Sequence, residues 1–278
     1  MKKIGFIDYY LNEWHADNYP KWLKTLSEGE YEVAYAYGEI DCPFDGSLTN
    51  AQWCEKQGVE LVSDIHELVE KSDCLVVLAP DNCEKHLALA LPAVASGKPV
   101  YVDKTFANSK AEAEEIFATA QKSGSPCFSA SAFRCSQKLG AVKTEDINGV
   151  VAFGHLEPVN YLVHQIEPIV ALMGRDVVSV MYTGCEGRPA WQLRFADGRS
   201  ASINMMQNEW KHYFVINHQD KNETIALDDD VFTNLMKAIL EMFQTGKEFV
   251  AKEDTIAIMA IREKCLQAMD KPFEWVAM

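Results

Sequence analysis

Two side chains in this 278-residue sequence stand where their chemistry could be used. Lys104 follows the run Val100-Tyr101-Val102-Asp103, and a lysine at the carboxyl end of a parallel strand lies on the edge where α/β sheets take their ligands. There its ammonium could lower the energy of an alkoxide, or of the carbonyl oxygen in the reverse direction. The plainer alternative is a solvated lysine beside Asp103. His164 lies between Asn160 and Glu167, and on a helix residues three and four apart share one face, so these three polar groups converge on one patch. A histidine titrating near neutrality is a natural proton acceptor for an alcohol, and a carboxylate such as Glu167 could orient it and raise its basicity. The alternative is a hydrogen-bonded core histidine on an otherwise apolar helix.

The elements that must position these groups fall into two patterns. Up to about residue 130, short apolar runs (3–8, 31–37, 74–79, 99–103 and 126–130) alternate with helical stretches (15–27, 51–57, 64–71, 84–96 and 110–122). Several runs are apolar on both faces, which predicts a parallel sheet covered by helices. Ser109 with Glu112 reads as a capping box for the fifth helix, and Gly124 as its stop. Thereafter helices are expected at 135–146 and 161–173, followed by β-branched and aromatic runs. Asp197-Gly198, between runs 191–196 and 199–207, signals a two-residue hairpin. Runs 150–157, 177–183 and 212–217 could extend the same antiparallel sheet, and two helices, 230–245 and 253–269, close the chain. The predicted fold class is α/β: an N-terminal Rossmann-like, doubly wound parallel sheet over residues 1–125, then a C-terminal α+β domain with an open, mainly antiparallel sheet over 126–278.

The stretch Cys74 to Pro80, with Asn82 and His86 just beyond, leads to Ser96-Gly97-Lys98-Pro99-Val100 and then to Asp103-Lys104-Thr105. This order resembles the Gfo/Idh/MocA oxidoreductase family, in which a strand ends in a Pro-Asn type loop, a histidine follows, and the next strand ends in Glu-Lys-Pro. Asn160 to Gly174 is similar to a second family segment, Asp-x-Gly-x-His-x-x-Asp followed by Leu-Gly. The resemblance implies that Lys104 and His164 are catalytic, that Asn160, Glu167 and Arg134 contact substrate, and that Asp8, Tyr9, Tyr10, Pro80, Asn82, His86 and Asp103 border an NAD or NADP cofactor at an inter-domain cleft. It further implies redox chemistry on a sugar, polyol or related hydroxylated small molecule, and homo-oligomerisation through the C-terminal sheet, for which exposed Trp191, Met205 and Met206 would suit. His155, Trp210 and His212 are weaker substrate-contact candidates that no spacing selects.

The glycine-rich turn of dinucleotide-binding domains is missing. Aligning the first strand puts Asp8, Tyr10 and Glu13 where the three glycines would stand, and the only glycines among the first 45 residues are Gly5, Gly29 and Gly38. Two carboxylates would repel a diphosphate, and a tyrosine ring would fill its volume. The acidic residue expected after the second strand is matched only by an offset Glu39. This keeps open a relative that binds or senses a ligand without ordinary NAD(P) binding, and, less readily, a lyase or hydrolase using the same lysine and histidine. A formal charge of −15 argues against nucleic-acid or anionic-membrane partners. No apolar run approaches the ~18 residues of a membrane span and none suits a signal peptide, so a cytoplasmic protein is expected. The eight cysteines are scattered without zinc spacing, which predicts reduced thiols and no metal. Asn222-Glu223-Thr224 reads as a turn.

Overall fold

The first strand, β1 (Lys2–Asp8), is buried without alternation from Ile4 to Asp8, as a strand covered on both faces must be. The computed structural model, which describes residues 1–206 and 211–278, pairs it in parallel with β2 (Tyr31–Gly38) on one side and β4 (Cys74–Val77) on the other. With β3 (Glu60–Leu61), β5 (Val100–Val102) and β6 (Cys127–Phe128) the order is β3-β2-β1-β4-β5-β6, all parallel, the doubly wound order of a Rossmann fold.

Five helices connect these strands, and local side chains set their ends. The first, α1 (Trp14–Leu26), is capped by Glu13, and α2 (Asn50–Gln57) by a reciprocal Thr49–Gln52 box, with Gly58 in the left-handed region at its end. Asp64 caps α3 (Ile65–Lys71), α4 (His86–Val94) follows β4, and Ser109 caps α5 (Lys110–Ser123). The α5 box is displaced by one residue: Glu112 N donates to Ser109 Oγ, but the Glu112 carboxylate accepts from Asn108 N. Gly124, at φ 75°, ends the helix in the expected way.

The chain forms two compact units, Met1–Ser129 with Leu235–Lys252, and Ala130–Asn234 with Glu253–Met278. Residues 235–252 were expected in the second domain, but α9 (Val231–Thr245) contributes Leu235 onward to the first. Its buried Phe243 ring lies 5.9 Å from Tyr31 of β2, and Glu248 beyond it accepts from Cys127 N at 3.0 Å. Periodicity shows that a helix buries one face without naming the sheet it covers.

The second unit is built on a seven-stranded sheet of order β12-β11-β7-β10-β9-β8-β13: β7 (Ile147–His155), β8 (Val177–Tyr182), β9 (Ala190–Phe195), β10 (Ser200–Met206), β11 (Tyr213–His218), β12 (Asn222–Ala226) and β13 (Trp275–Ala277). Among the described residues of this sheet only the β7–β10 pair is parallel. Asp197-Gly198 does sit at the β9–β10 hairpin, though in a three-residue loop where Gly198 alone has positive φ. The sequon Asn222-Glu223-Thr224 lies in β12, paired with β11, and not in a turn.

The helix expected at 135–146 shrinks to α6 (Gln137–Gly140), because the Ser131 and Ser136 side chains each cap a new start and break the run. The helix at 161–173 is two pieces, α7 (Pro158–Tyr161) and α8 (Val163–Met173), and α10 (Lys252–Ala268) follows. Trp191 and Met205, read as exposed interface residues, are buried at 0% and 3%: their strands turn Trp191, Leu193, Phe195, Ala201, Ile203 and Met205 inward, and Trp191 Nε1 donates to Cys265 O of α10 at 2.7 Å. Among the described residues no helix is long and apolar enough to cross a membrane, and no group of three ligating side chains could hold a metal ion. Gln207 and Trp210 lie outside the described residues.

Candidate functional site

The carboxyl edge of the first sheet gathers most of the polar residues singled out in that unit. Asp8 ends β1 at 1% exposure, and its Oδ1 accepts from Tyr9 N at 2.7 Å and from Ala79 N at 2.9 Å. It thus ties the end of β1 to the end of β4, where Ala79 adopts φ 70°. Burial first, and then the nearby Glu13 charge, push the Asp8 carboxyl well above the usual range. Tyr10 is buried with its ring edge-on to Phe44 at 6.0 Å, and burial raises its hydroxyl to about 12. Tyr9 lies under Lys85 Nζ, 4.4 Å from the ring centroid.

Beyond this loop, Glu13 turns both carboxylate oxygens onto the start of α1. Oε2 accepts from His15 N at 2.7 Å and meets His15 Nδ1 at 2.9 Å, while Oε1 accepts from Ala16 N. The opposite ring nitrogen, Nε2, lies 3.9 Å from Asp103 Oδ2. Burial alone would lower the His15 pKa, but Asp103 and Glu13 outweigh it and the net shift is upward. Asp103, at 1% exposure, accepts from Tyr101 OH at 2.9 Å. Lys104 is 6% exposed and donates to Pro80 O at 3.0 Å, so it is no solvated surface lysine. His86 is wholly buried at the start of α4, with Nδ1 3.2 Å from Phe106 O, and burial lowers its pKa. Asn82 turns to Glu84, its Nδ2 donating at 2.9 Å.

A dinucleotide's diphosphate would be held by the β1–α1 turn and the α1 N-terminus in this fold. The residues present do not fit it, because the Glu13 carboxylate already accepts the first backbone donors of α1 and Asp8 adds a second buried carboxyl. Farther along the edge a cavity of about 580 Å³ opens at the end of β2, with Glu39, Asp41 and Glu67 in its lining. Asn50 braces it, accepting from Leu11 N at 3.0 Å and donating to Ile40 O at 2.7 Å.

In the second unit Ser131, 0% exposed, joins two of the candidates. Its Oγ lies 2.6 Å from His164 Nδ1 and its N–H donates to Glu167 Oε1 at 2.8 Å. His164 and Glu167 are therefore linked through this serine, which takes the orienting place at Nδ1 that Glu167 was expected to fill. Asn160 sits in α7, its N–H donating to Glu157 Oε2 at 2.9 Å; Leu162 between the pieces stays helical, so 160, 164 and 167 keep their shared side. Arg134 is spent on the scaffold, donating from Nη1 to Glu167 O and from Nη2 to Asp254 Oδ2, each at 3.1 Å. Phe133 packs edge-on to His164 at 5.3 Å and lies 4.1 Å from the His212 ring at a tilt of 40°. A Cβ at Gly154 would collide with the Gln165 side chain, which is why β7 carries glycine beneath α8. His155, half-buried, meets the Tyr161 ring edge-on at 4.8 Å.

The structure thus groups Asp8, Asp103, Lys104 and Pro80 at one sheet edge of the first unit, and Asn160, His164 and Glu167 on one helical side of the second. His15, Ser131 and Asn50 went unnoticed in the sequence. Glu13-x-His15 at a helix start was a usable signal for the first, whereas Ser131 reaches His164 across 33 positions and no spacing reveals it.

Comparison with known proteins follows the same lines. Residues 14–131 match the model of the oxidoreductase family with an NAD-binding Rossmann fold. No curated protein sequence matches the chain. Among solved structures, myo-inositol 2-dehydrogenase from Lactobacillus plantarum superposes with a TM-score of 0.81 at 14% identity, covering 100% of this chain and 99% of that one. A dehydrogenase from Bordetella pertussis, in complex with NADH and UDP-GlcNAcA, gives 0.77 at 12% identity over 99% and 98%. A probable dehydrogenase from Thermotoga maritima gives 0.79 at 14% identity over 99% and 98%. At such identities the likeness is one of fold.

Proposed function

We propose, from the match of residues 14–131 to the Gfo/Idh/MocA oxidoreductase family model, that the protein oxidises or reduces a sugar, polyol or related hydroxylated small molecule. The observation that supports this most is the buried Ser131–His164 pair, with Oγ and Nδ1 at 2.6 Å. With Nδ1 engaged by a hydroxyl, Nε2 is the ring nitrogen that exchanges a proton with a substrate alcohol. Lys104, its Nζ held at Pro80 O, supplies a desolvated cation for the oxygen that gains charge. Asn160 offers a hydrogen-bonding amide for a neighbouring hydroxyl.

NAD or NADP is the redox partner that the family implies, and it would supply hydride transfer when bound. The β1–α1 loop does not offer the diphosphate cradle, so such a cofactor would have to be held by other residues. The test is a panel of inositols, hexoses and nucleotide sugars with each oxidised cofactor, followed by the absorbance of reduced nicotinamide. Turnover is expected, with a loss of roughly 100-fold or more in His164→Asn and Lys104→Met. No turnover across the panel removes this reading. The carboxylates at Asp8 and Glu13 favour a second one, a ligand-binding or regulatory relative, marked by saturable binding of a polyol without any redox change.

A further inference from the structure

A helix that opens at the carboxyl end of β1 presents its unpaired backbone N–H groups and positive dipole end to whatever anion fills that turn. In this chain the anion is internal. The Glu13 carboxylate accepts from the N–H groups of His15 and Ala16 and from His15 Nδ1, so both its oxygens are engaged. His15 Nε2 in turn faces Asp103 across 3.9 Å, and Asp103 is held by Tyr101 OH. Asp8, one turn earlier, uses Oδ1 to clamp the ends of β1 and β4 together, which leaves no open backbone donors of Tyr9 and Ala79 for a ligand. Tyr10 fills the middle of the loop at 8% exposure.

We infer that Glu13 is this chain's own occupant of the diphosphate position, with Asp8 and Tyr10 closing the rest of the turn, so that the protein does not take a dinucleotide in the family's mode. The inference rests on the family reading proposed from residues 14–131, which begin just after this turn, and on the Rossmann strand order of the first sheet, in which the turn after β1 faces the diphosphate. It accounts for three glycine replacements with one arrangement: the carboxylate does for the helix terminus what a bound phosphate does elsewhere, and the loop needs no room for backbone to approach a ligand.

The test measures binding and leaves turnover aside. The full chain, Glu13→Ser and Asp8→Gly/Glu13→Ser are titrated with NADH, NADPH and inorganic pyrophosphate by calorimetry and nicotinamide fluorescence. Serine keeps a helix cap while vacating the carboxylate, so the single variant is expected to fold and decides the matter if the double one does not. Pyrophosphate is expected to show no saturable binding to the wild-type chain at millimolar concentration and to displace none of the NADH it binds, whereas Glu13→Ser binds NADH roughly tenfold or more tightly, with pyrophosphate competing. Micromolar NADH binding by the wild type that pyrophosphate displaces overturns the inference, as does a Glu13→Ser protein that binds no better than wild type. A chain that turns over a polyol while Glu13→Ser alone gains pyrophosphate binding upholds both proposals. One that shows no turnover but the same gain sinks the redox reading and leaves this one standing.

Discussion

Replacing Ser131 by alanine removes one oxygen atom from the centre of the second unit, and the structure says how much should be lost. The residue is 0% exposed and its Oγ stands 2.6 Å from His164 Nδ1, so no water replaces the bond without rearrangement. Loss of such a buried contact costs about 1–3 kcal/mol. The same Oγ accepts from Phe133 N at 3.3 Å, a long bond whose loss adds about 0.5 kcal/mol at the low end of capping effects. The Ser131 N–H to Glu167 contact survives, because alanine keeps its amide. The sum is about 1.5–3.5 kcal/mol, or a Tm lower by roughly 3–14 °C at about 2–4 °C per kcal/mol. A purely structural serine would show that much, so the decisive assay is nitrogen-resolved NMR of the imidazole. Wild-type His164 should show one predominant tautomer of the neutral ring; Ser131→Ala should show a mixture. Unchanged imidazole shifts, or a stability loss below about 0.5 kcal/mol, would refute the reasoning.

Three further outcomes are expected. Because the buried Asp8 carboxyl titrates above its ordinary 3.8, the native state binds more protons than the unfolded one between that value and the raised one, and stability falls as pH rises through that window. Asp8→Asn keeps the Oδ1 acceptor, so denaturation curves should show it more stable than wild type at neutral pH and the two converging near pH 3.8; equal destabilisation at every pH counts against this. Arg134→Met should cost about 1–2 kcal/mol in denaturant titrations, since it leaves Asp254 and the Glu167 carbonyl without that guanidinium; a neutral result would mean water serves them equally well. We also expect the outer face of the second sheet, where half-buried Phe153 and Tyr213 pair and Val215 lies beside Val151, to join copies of the chain: light scattering should show an oligomer that Val215→Glu converts to monomer, and a monomeric wild type at micromolar concentration refutes it.

What could be read beforehand follows the range of the forces involved. The parallel sheet was legible because Cys74 to Val77 and Val100 to Val102 are apolar on both faces, and only a doubly covered strand tolerates that. Glu60–Leu61 and Trp275–Ala277 were missed because such short strands with exposed residues carry no pattern to detect. The Gly124 stop of α5 was a local matter and held, while the partner sheet of α9 was a long-range one and did not. The site divides in the same way. Lys104 and His164 were singled out by the segments around them that resemble family motifs, whereas the groups that hold them, Pro80 O and Ser131 Oγ, come from 24 and 33 positions away.

That the fold survives without its glycine-rich turn has a physical account in the same loop. The first backbone donors of a helix must find acceptors, and in a nucleotide-binding protein the ligand can be one of them. Here Glu13 provides the acceptor from within, and the charge it brings is offset by His15, whose raised pKa reflects the carboxylates on both sides. Asp8 joins β1 to β4 through Tyr9 N and Ala79 N, backbone groups that a tighter glycine turn would point at phosphate. The first unit is then complete as it stands, and its stability should not depend on cofactor. Sheet order and helix placement are set by the apolar strands beneath, which the loop does not touch, so a superposition at 0.81 on an inositol dehydrogenase with 14% identity coexists with a rebuilt turn. Likeness of fold therefore carries the sheet edge across to this chain, while the question of what binds there passes to Glu13, Asp8 and His15.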